Sequence, residues 1–330
     1  MIEEKQVMGQ STSNTVSHAR PVAGGGLRLW LLFGLWMAAS GSMHAANGFE
    51  EIAPGVYMRP GVQATPDAEN RGHVANLGFI IGRERVVVID AGGSYAEGET
   101  VLAAVRRVTD RPIAWLVLTH MHPDHALGAA AFADRGIPIV GHAQLGDALN
   151  RRRDAYLQPV EAYLGQAAAG TRIVLPDIAV TPGQLFTLDL GGRVVELQAH
   201  PTAHTNNDLS LYDRQSGVLW LADLLFADHV PVIDGSVRGW LRLIDELGAR
   251  EPALVVPGHG PVRPDWRTDL QREREYLDAV ASGVRTVIAA GGDIGDALER
   301  VVPAQHAHWL MFDEFHRRNV SAAFAELEWE

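Results

Sequence analysis

The sequence predicts a layered α/β fold, and three observations carry this. Short apolar runs at 85–90 and 113–118 have the composition of strands buried on both faces. They alternate with stretches of helical spacing. The metal-ligand side chains stand just past the C-terminal ends of such strands, where layered α/β folds place their ligands.

The chain has 330 residues, 47% of them apolar, and a net charge of −12. That length suits one large domain or two small ones, and no linker divides it, so a single domain is expected over 47–330. The acidic balance argues against a nucleic-acid partner, which would need a basic face. There is no cysteine, hence no disulfide framework and no thiolate ligand. Residues 1–28 are polar and glycine-rich. The apolar run at 29–39 is shorter than the ~20 residues of a comfortable membrane span. Arg20 and Arg28 precede it and small residues follow to Ala45-Ala46. Residues 1–46 therefore read as a secretory signal peptide, with an uncleaved anchor as the alternative. The expected location is periplasmic or secreted.

Taken in order, 52–59 reads as a strand around the Pro54-Gly55 turn, and 76–82 and 85–90 as two strands joined by a short turn. Ala91-Gly92-Gly93 breaks the second. Val101, Leu102, Val105 and Val108 give 96–108 helical spacing. A buried strand at 113–118 leads into a helix at 126–135, and a strand at 137–140 ends near His142. Residues 143–169 are helical in composition, interrupted at Gln158-Pro159. Their Arg151-Arg152-Arg153 run reads as a solvated helix face rather than an anion site. Strands follow at 173–180, 184–188, 193–199, 208–212 and 218–222. A helix at 236–247 has Ser236 as its cap. A strand at 253–256 ends in Pro257-Gly258-His259-Gly260. Helices at 265–282, 283–290, 295–301 and 305–330 close the chain.

The densest chemistry is Thr119-His120-Met121-His122-Pro123-Asp124-His125, with four metal-ligand side chains in the pattern HxHxDH. His120 and His122 are two apart and project to the same side at a strand end. Asp124 and His125 follow where the chain turns into a helix and can face a second point. Imidazole nitrogen and carboxylate oxygen suit zinc or iron. The competing view is a polar loop that happens to be histidine-rich. His204, Asp223 and His259 stand at later strand ends.

With His120, His122, Asp124, His125, His204, Asp223 and His259 in this order, the chain resembles the metallo-β-lactamase superfamily over about residues 50–265. The resemblance implies an αββα sandwich with the metal site at one edge of two packed sheets. It implies that His120, His122 and His204 hold one metal, that Asp124, His125 and His259 hold a second, and that Asp223 bridges them. Ala203 and Ala222 stand where many members have glycine. Asn70-Arg71-Gly72, Ala75-Asn76-Leu77-Gly78-Phe79, the run His200 to Leu209, and Val230 to Trp240 look like the quinoprotein relay system zinc metallohydrolases. That narrower likeness implies export and a periplasmic quinoprotein partner. The expected cofactor is two Zn2+, with Fe2+ as the alternative.

Two divalent ions about 3.5–4 Å apart can share a hydroxide and polarise the bond under attack. Asp124 is the candidate to orient it. Asp90 either hydrogen-bonds the ligand loop or caps the following turn. His229, Arg238 and Trp240 are candidate contacts to a small-molecule substrate. Arg71 either binds an anion or pairs with a surface carboxylate. A structural role is open for His73, His142 and His200, and a surface position is expected for His306, His308 and His316. The leading reading is an exported dinuclear zinc hydrolase. Alternatives are a mononuclear iron persulfide dioxygenase, a β-lactamase or thioesterase-type hydrolase of the same fold, and a non-catalytic component that docks a quinoprotein. The ligands alone do not rank the hydrolytic substrates.

Overall fold

The computed structural model of the protein describes residues 48–303 and 308–330, all within the unit Met43–Glu330. The signal peptide expected over 1–46 and the position of His306 lie outside the described residues.

A first sheet holds, in sequence order, β1 (Glu50–Ala53), β2 (Val56–Arg59), β3 (Leu77–Ile81), β4 (Val86–Ile89), β5 (Ile113–Val117), β6 (Ile139–His142) and β7 (Ile178–Val180). β1 to β4 form an antiparallel meander, and β4 to β7 pair parallel. Parallel neighbours need a crossover. α1 (Tyr95–Val108) supplies it between β4 and β5, and α2 (Pro123–Ala126) with α3 (Ala129–Ala133) between β5 and β6. α4 (Leu145–Leu157) and α5 (Val160–Leu164) precede β7. The second sheet runs β12 (Leu254–His259), β11 (Val218–Phe226), β10 (Leu209–Asp213), β9 (Val194–Ala199) and β8 (Leu185–Asp189). α6 (Val237–Gly248) connects β11 to its parallel neighbour β12.

The period-2 alternation of strands explains the layering. In β4, Val87 and Ile89 enter the core between the sheets, while Val86 and Val88 face the α1 side. In β11, Val218, Trp220 and Ala222 join that inter-sheet core. Leu219 and Leu221 pack instead with Trp240 of α6 and Tyr276 of α7 (Trp266–Ala289). The result is the expected αββα sandwich. α8 (Ile294–Arg300) and α9 (Phe312–Leu327) thicken the second helical layer.

Several elements differ from expectation. The strand at 52–59 is a hairpin, β1 and β2, because Gly55 takes a positive φ of 72° at the turn. The helix expected at 126–135 starts at Pro123, which suits the first helical position, and splits at Gly128. The helix expected to break at Gly283 runs unbroken as α7. Gly283 instead allows Val301 to approach, since a Cβ there would meet Val301 Cγ1 at 2.8 Å. β11 continues four residues past Ala222, so Asp223 lies within a strand and does not cap a turn into Leu224. His316 is buried, not a surface residue: its Nε2 donates to Val301 O at 2.7 Å and its Nδ1 accepts from the Tyr276 hydroxyl at 3.0 Å.

Candidate metal centre

The site grows from the end of β4. Asp90 is fully buried and takes a positive φ of 59°. Its Oδ1 accepts the Thr119 backbone N–H at 2.8 Å, and its Oδ2 accepts the Thr119 hydroxyl at 2.8 Å. The same Oδ2 accepts His125 Nδ1–H at 2.8 Å. Asp90 therefore holds the ligand loop, the first of its two readings. Having donated to Asp90, the Thr119 hydroxyl turns a lone pair to His120 Nδ1, 3.1 Å away.

These outer partners fix the protons on the imidazoles, and so leave the inner nitrogens bare. His120 donates from Nδ1 to Thr119, and its Nε2 is free. His204 donates from Nδ1 to Val232 O at 2.6 Å, and its Nε2 is free. His122 donates from Nε2 to Asp234 Oδ2 at 3.1 Å, and its Nδ1 is free. The three free nitrogens lie 3.0–3.3 Å from one another. Three lone pairs at that spacing repel unless a cation sits among them. Asp223 Oδ2 approaches the same group, 3.6 Å from His120 Nε2 and 3.4 Å from His204 Nε2.

A second group adjoins it. Asp124 Oδ2 lies 3.6 Å from His125 Nε2 and 3.3 Å from His259 Nε2. Asp223 Oδ1 is 3.1 Å from His125 Nε2, and both atoms are buried with no hydrogen-bond partner. In each of the two groups the candidate ligand atoms lie within 4.8 Å of one another. All seven sequence candidates are thus brought together, and the donor set fits divalent ions of the zinc or iron kind.

The framework is specific. Asn76, just before β3, donates to Pro257 O at 2.8 Å and Gly260 O at 2.9 Å, which pins the turn bearing His259 to the first sheet. Gly258 leaves room for Asp223, since a Cβ there would fall on Asp223 Oδ1. Burial drives His120 well below the ordinary histidine range and His204 to about 3. Burial also opposes charge on His125 and His259, but Asp223 and Asp124 outweigh it and raise both, His259 to about 9. His120 and His204 therefore resist protonation, while His125 and His259 favour it.

A cavity of about 480 Å³ opens over the site, lined by His122, Asp124, Asp223 and His259, with Tyr156, Tyr163, Val232 and Phe315 as its wall. His229 lines it too, 4.9 Å from His259 between ring centroids. The other two substrate candidates do not. Arg238 points away and pairs with Glu330 at 3.1 Å. Trp240 is fully buried behind His204, 5.2 Å between ring centroids, and supports the ligand instead of walling the cavity. Arg71 pairs with Glu97 at 2.8 Å. His73 bonds Pro60 O, His200 bonds Ser210, and His142 accepts the Gln144 N–H.

Sequence reasoning missed Asp234, which lies in the quoted run Val230 to Trp240 but carried no metal-ligand spacing. It also placed Arg152 on a solvated face, whereas Arg152 is half-buried and lines the cavity. Arg318 and Tyr156 line it as well, and no local motif announced them.

Comparison with known proteins agrees with this architecture. A family model described as the metallo-beta-lactamase superfamily matches residues 70–259. A linear primary-alkylsulfatase from Pseudomonas sp. (strain ATCC 19151) is 43% identical over 212 residues, covering 54% of this chain and 40% of that protein. A hydroxyacylglutathione hydrolase from Acidiphilium cryptum (strain JF-5) is 26% identical over 242 residues, covering 72% of this chain and 84% of the relative. The chain spans only 40% and 61% of the first two curated relatives it matches, the alkylsulfatase and the 2,4-dinitroanisole O-demethylase subunit alpha of Nocardioides sp. (strain JS1661). Among solved structures, a metallo-beta-lactamase from Pontibacter korlensis has a TM-score of 0.57 at 20% identity, covering 70% of this chain and 98% of the other. The sec-alkyl sulfatase PisA1 has a TM-score of 0.64 at 18% identity, covering 86% of this chain and 50% of the other. With the family model matching more than half its length, two sheets packed between helical layers and the His/Asp cluster at their edge, the chain belongs to the metallo-β-lactamase superfamily.

Proposed function

We propose that the protein is a dinuclear zinc hydrolase of a small-molecule substrate. One observation carries the reading: Asp223 lies between two adjoining groups of ligand atoms, with Oδ1 3.1 Å from His125 Nε2 and Oδ2 3.4 Å from both His204 Nε2 and His259 Nε2. His120, His122 and His204 would hold one ion and Asp124, His125 and His259 the other, with Asp223 shared. When bound, two divalent ions lower the proton affinity of water between them and polarise the bond under attack. The residues of the chain do the rest. Asp124 turns Oδ2 toward His125 and His259, which leaves Oδ1 to orient water and take its proton. Trp240 and Phe226 close the back of His204 against solvent. No thiol nucleophile is available, since the chain has no cysteine.

Relatives named as an alkylsulfatase and a hydroxyacylglutathione hydrolase support hydrolysis. A mononuclear iron persulfide dioxygenase would leave Asp124, His125 and His259 without a purpose in common. Export with loss of 1–46, a periplasmic location and a quinoprotein partner are part of the proposal. Their support is the apolar run at 29–39 behind Arg20 and Arg28, and the likeness of the quoted segments.

The test is metal analysis of protein purified without added zinc, with thioesters, lactones, β-lactams and phosphodiesters assayed side by side. Close to two zinc ions per chain are expected, with turnover removed by chelation and restored by zinc. A single tightly held iron, with oxygen consumed on a persulfide, would replace this reading with the dioxygenase. Mass spectrometry of the exported protein is expected to show loss of about the first 45 residues; an intact N-terminus in the cytoplasm would refute export.

A further inference from the structure

We propose that the substrate carries a carboxylate remote from the bond that is hydrolysed, and that Arg152 and Arg318 hold it. This rests on the hydrolase reading above and names the class of substrate for the same cavity.

The two arginines come from elements far apart in the sequence. Arg152 lies on α4 and Arg318 on α9, yet both line the cavity that contains His122, Asp124, Asp223 and His259. Arg152 Nη2 reaches Asp234 Oδ1 at 3.2 Å and Oδ2 at 3.4 Å. These are long contacts, and Asp234 Oδ2 is also taken by His122 Nε2–H. Asp234 thus neutralises Arg152 only in part. Arg318 has no carboxylate partner among the described residues, and its guanidinium lies over the Phe315 ring, 5.6 Å from the centroid. Tyr156 lines the same wall, and its hydroxyl is buried with no hydrogen-bond partner. Both guanidinium groups, and the carboxylates of Asp234 and Asp124 in the opposite sense, are near enough to act on that phenol electrostatically. Buried polar groups are ordinarily partnered, so the unpaired Tyr156 hydroxyl, on one cavity wall with the half-buried guanidinium of Arg152 and the solvent-reaching one of Arg318, describes a receptor for an oxyanion. The guanidinium fork suits a carboxylate in particular.

Charge points the same way. With metals bound, the carboxylates of Asp124, Asp223 and Asp234 face two divalent ions and two guanidinium groups, so the cavity is net positive. The chain as a whole carries −12, and a positive cleft in an acidic protein concentrates anions locally.

Spacing then separates the anion from the reacting bond. The carboxylate of Asp234 and the ring of His122 stand between Arg152 and the ligand cluster. A carboxylate at the arginines is therefore not the group attacked. The same cavity offers apolar lining from Val74, Tyr163, Val232 and Phe315 to the rest of such a substrate. An ester or thioester with a carboxylate on its acyl or leaving part fits this outline. Hydrolysis adds one water: the acyl carbon gains its oxygen, the C–O or C–S bond breaks, and the leaving atom takes a proton.

The experiment uses the zinc-loaded protein and two matched esters, para-acetoxybenzoate and its neutral carboxamide para-acetoxybenzamide. The benzoate ester is expected to be favoured by about tenfold or more in kcat/KM, chiefly through KM, the scale of a charge-assisted hydrogen bond. Arg318→Gln should bring that ratio close to one at unchanged zinc content. Arg318→Lys keeps the charge without the fork and should fall between, and it serves if the glutamine variant misfolds. Equal kcat/KM for the two esters, or the same loss on both in Arg318→Gln, overturns the proposal. So does turnover of dodecyl sulfate alone, where the anion is itself the group attacked. Calorimetry with para-hydroxybenzoate and para-hydroxybenzamide needs no turnover. If neither ester is hydrolysed, the hydrolase reading is decided by the substrate panel above, while selective, Arg318-dependent binding of the benzoate upholds the anion site; binding of neither, or of both alike, refutes it.

Discussion

At the scale of single residues, the proton on each imidazole is decided from outside the metal centre. Asp90 is the clearest case, because one carboxylate serves Thr119 and His125 together. In Asp90→Asn the amide can place an N–H where His125 also donates. That favours the other His125 tautomer, with the proton on the metal-facing Nε2. Zinc affinity is expected to fall about 10–100-fold with the fold intact, as read by chelator competition and circular dichroism. Asp223 and His259 separate the bridging role from a single-site role. Asp223→Ala should lower the occupancy of both ions and abolish turnover. His259→Ala should chiefly empty the second position and leave a slow mononuclear enzyme. Folded Asp223→Ala that keeps two metals would exclude bridging. The ligands were legible because HxHxDH is a local pattern, fixed by strand and turn geometry. Asp234 and the Val232 carbonyl were not, because they reach His122 and His204 from a distant loop. Arg238 was misread because proximity in sequence to a motif was taken for proximity in space; Trp240 does lie beside His204, but on its buried side and not in the cavity.

Elements place those residues, and the errors at this scale have one cause. α6 buries Val237, Trp240, Leu243, Ile244 and Leu247 along one stripe, so its period points Trp240 to the core and Arg238 away from the cavity. The hydrophobic run of β11 was read as ending at Ala222 because Asp223 interrupts it. The strand nevertheless continues through Leu224, Leu225 and Phe226, paired with β12 as far as His259. A buried carboxylate inside a strand is a poor structural choice and a sound ligand. Gly258 on β12 is the complementary feature. A Cβ there would fall on Asp223 Oδ1 and lie 2.7 Å from Ala222 C. Gly258→Ala is expected to push Asp223 off the metal line and lose at least one zinc per chain, measured by metal analysis of the folded variant. Gly146→Ala, on α4 with its nearest neighbour Pro176 Cδ at 3.7 Å, is the control. It should keep both metals and gain about 0.5–1 kcal/mol of stability from helix propensity. Equal metal loss in both variants would remove the steric explanation.

Across the whole molecule, the sandwich buries histidines outside the candidate metal cluster as well as in it, and this sets its response to acid. His200, after β9, is held at about 4, first by burial and then by the positive charge of Arg250 and the neighbouring His142. His73 is also held at about 4, by burial and by Arg59 and Arg71. Both groups titrate near 6.5 when the chain is unfolded. Between pH 6.5 and 4 the unfolded chain therefore binds protons that the folded chain refuses. Stability must rise with pH through that window and fall as pH is lowered through it. Each such histidine contributes a slope of about 1.4 kcal/mol per pH unit. Gln at position 200 can keep the hydrogen bond to Ser210 without a titratable group. Denaturant unfolding of His200→Gln, measured from pH 7 to 4.5, is thus expected to show a slope shallower than the wild type by about that amount. The metal ligands titrate alike in both proteins, so the difference between the two profiles isolates His200. Parallel profiles would mean that His200 takes up a proton as readily in the folded state as in the unfolded chain, and that burial there does not exclude the charge.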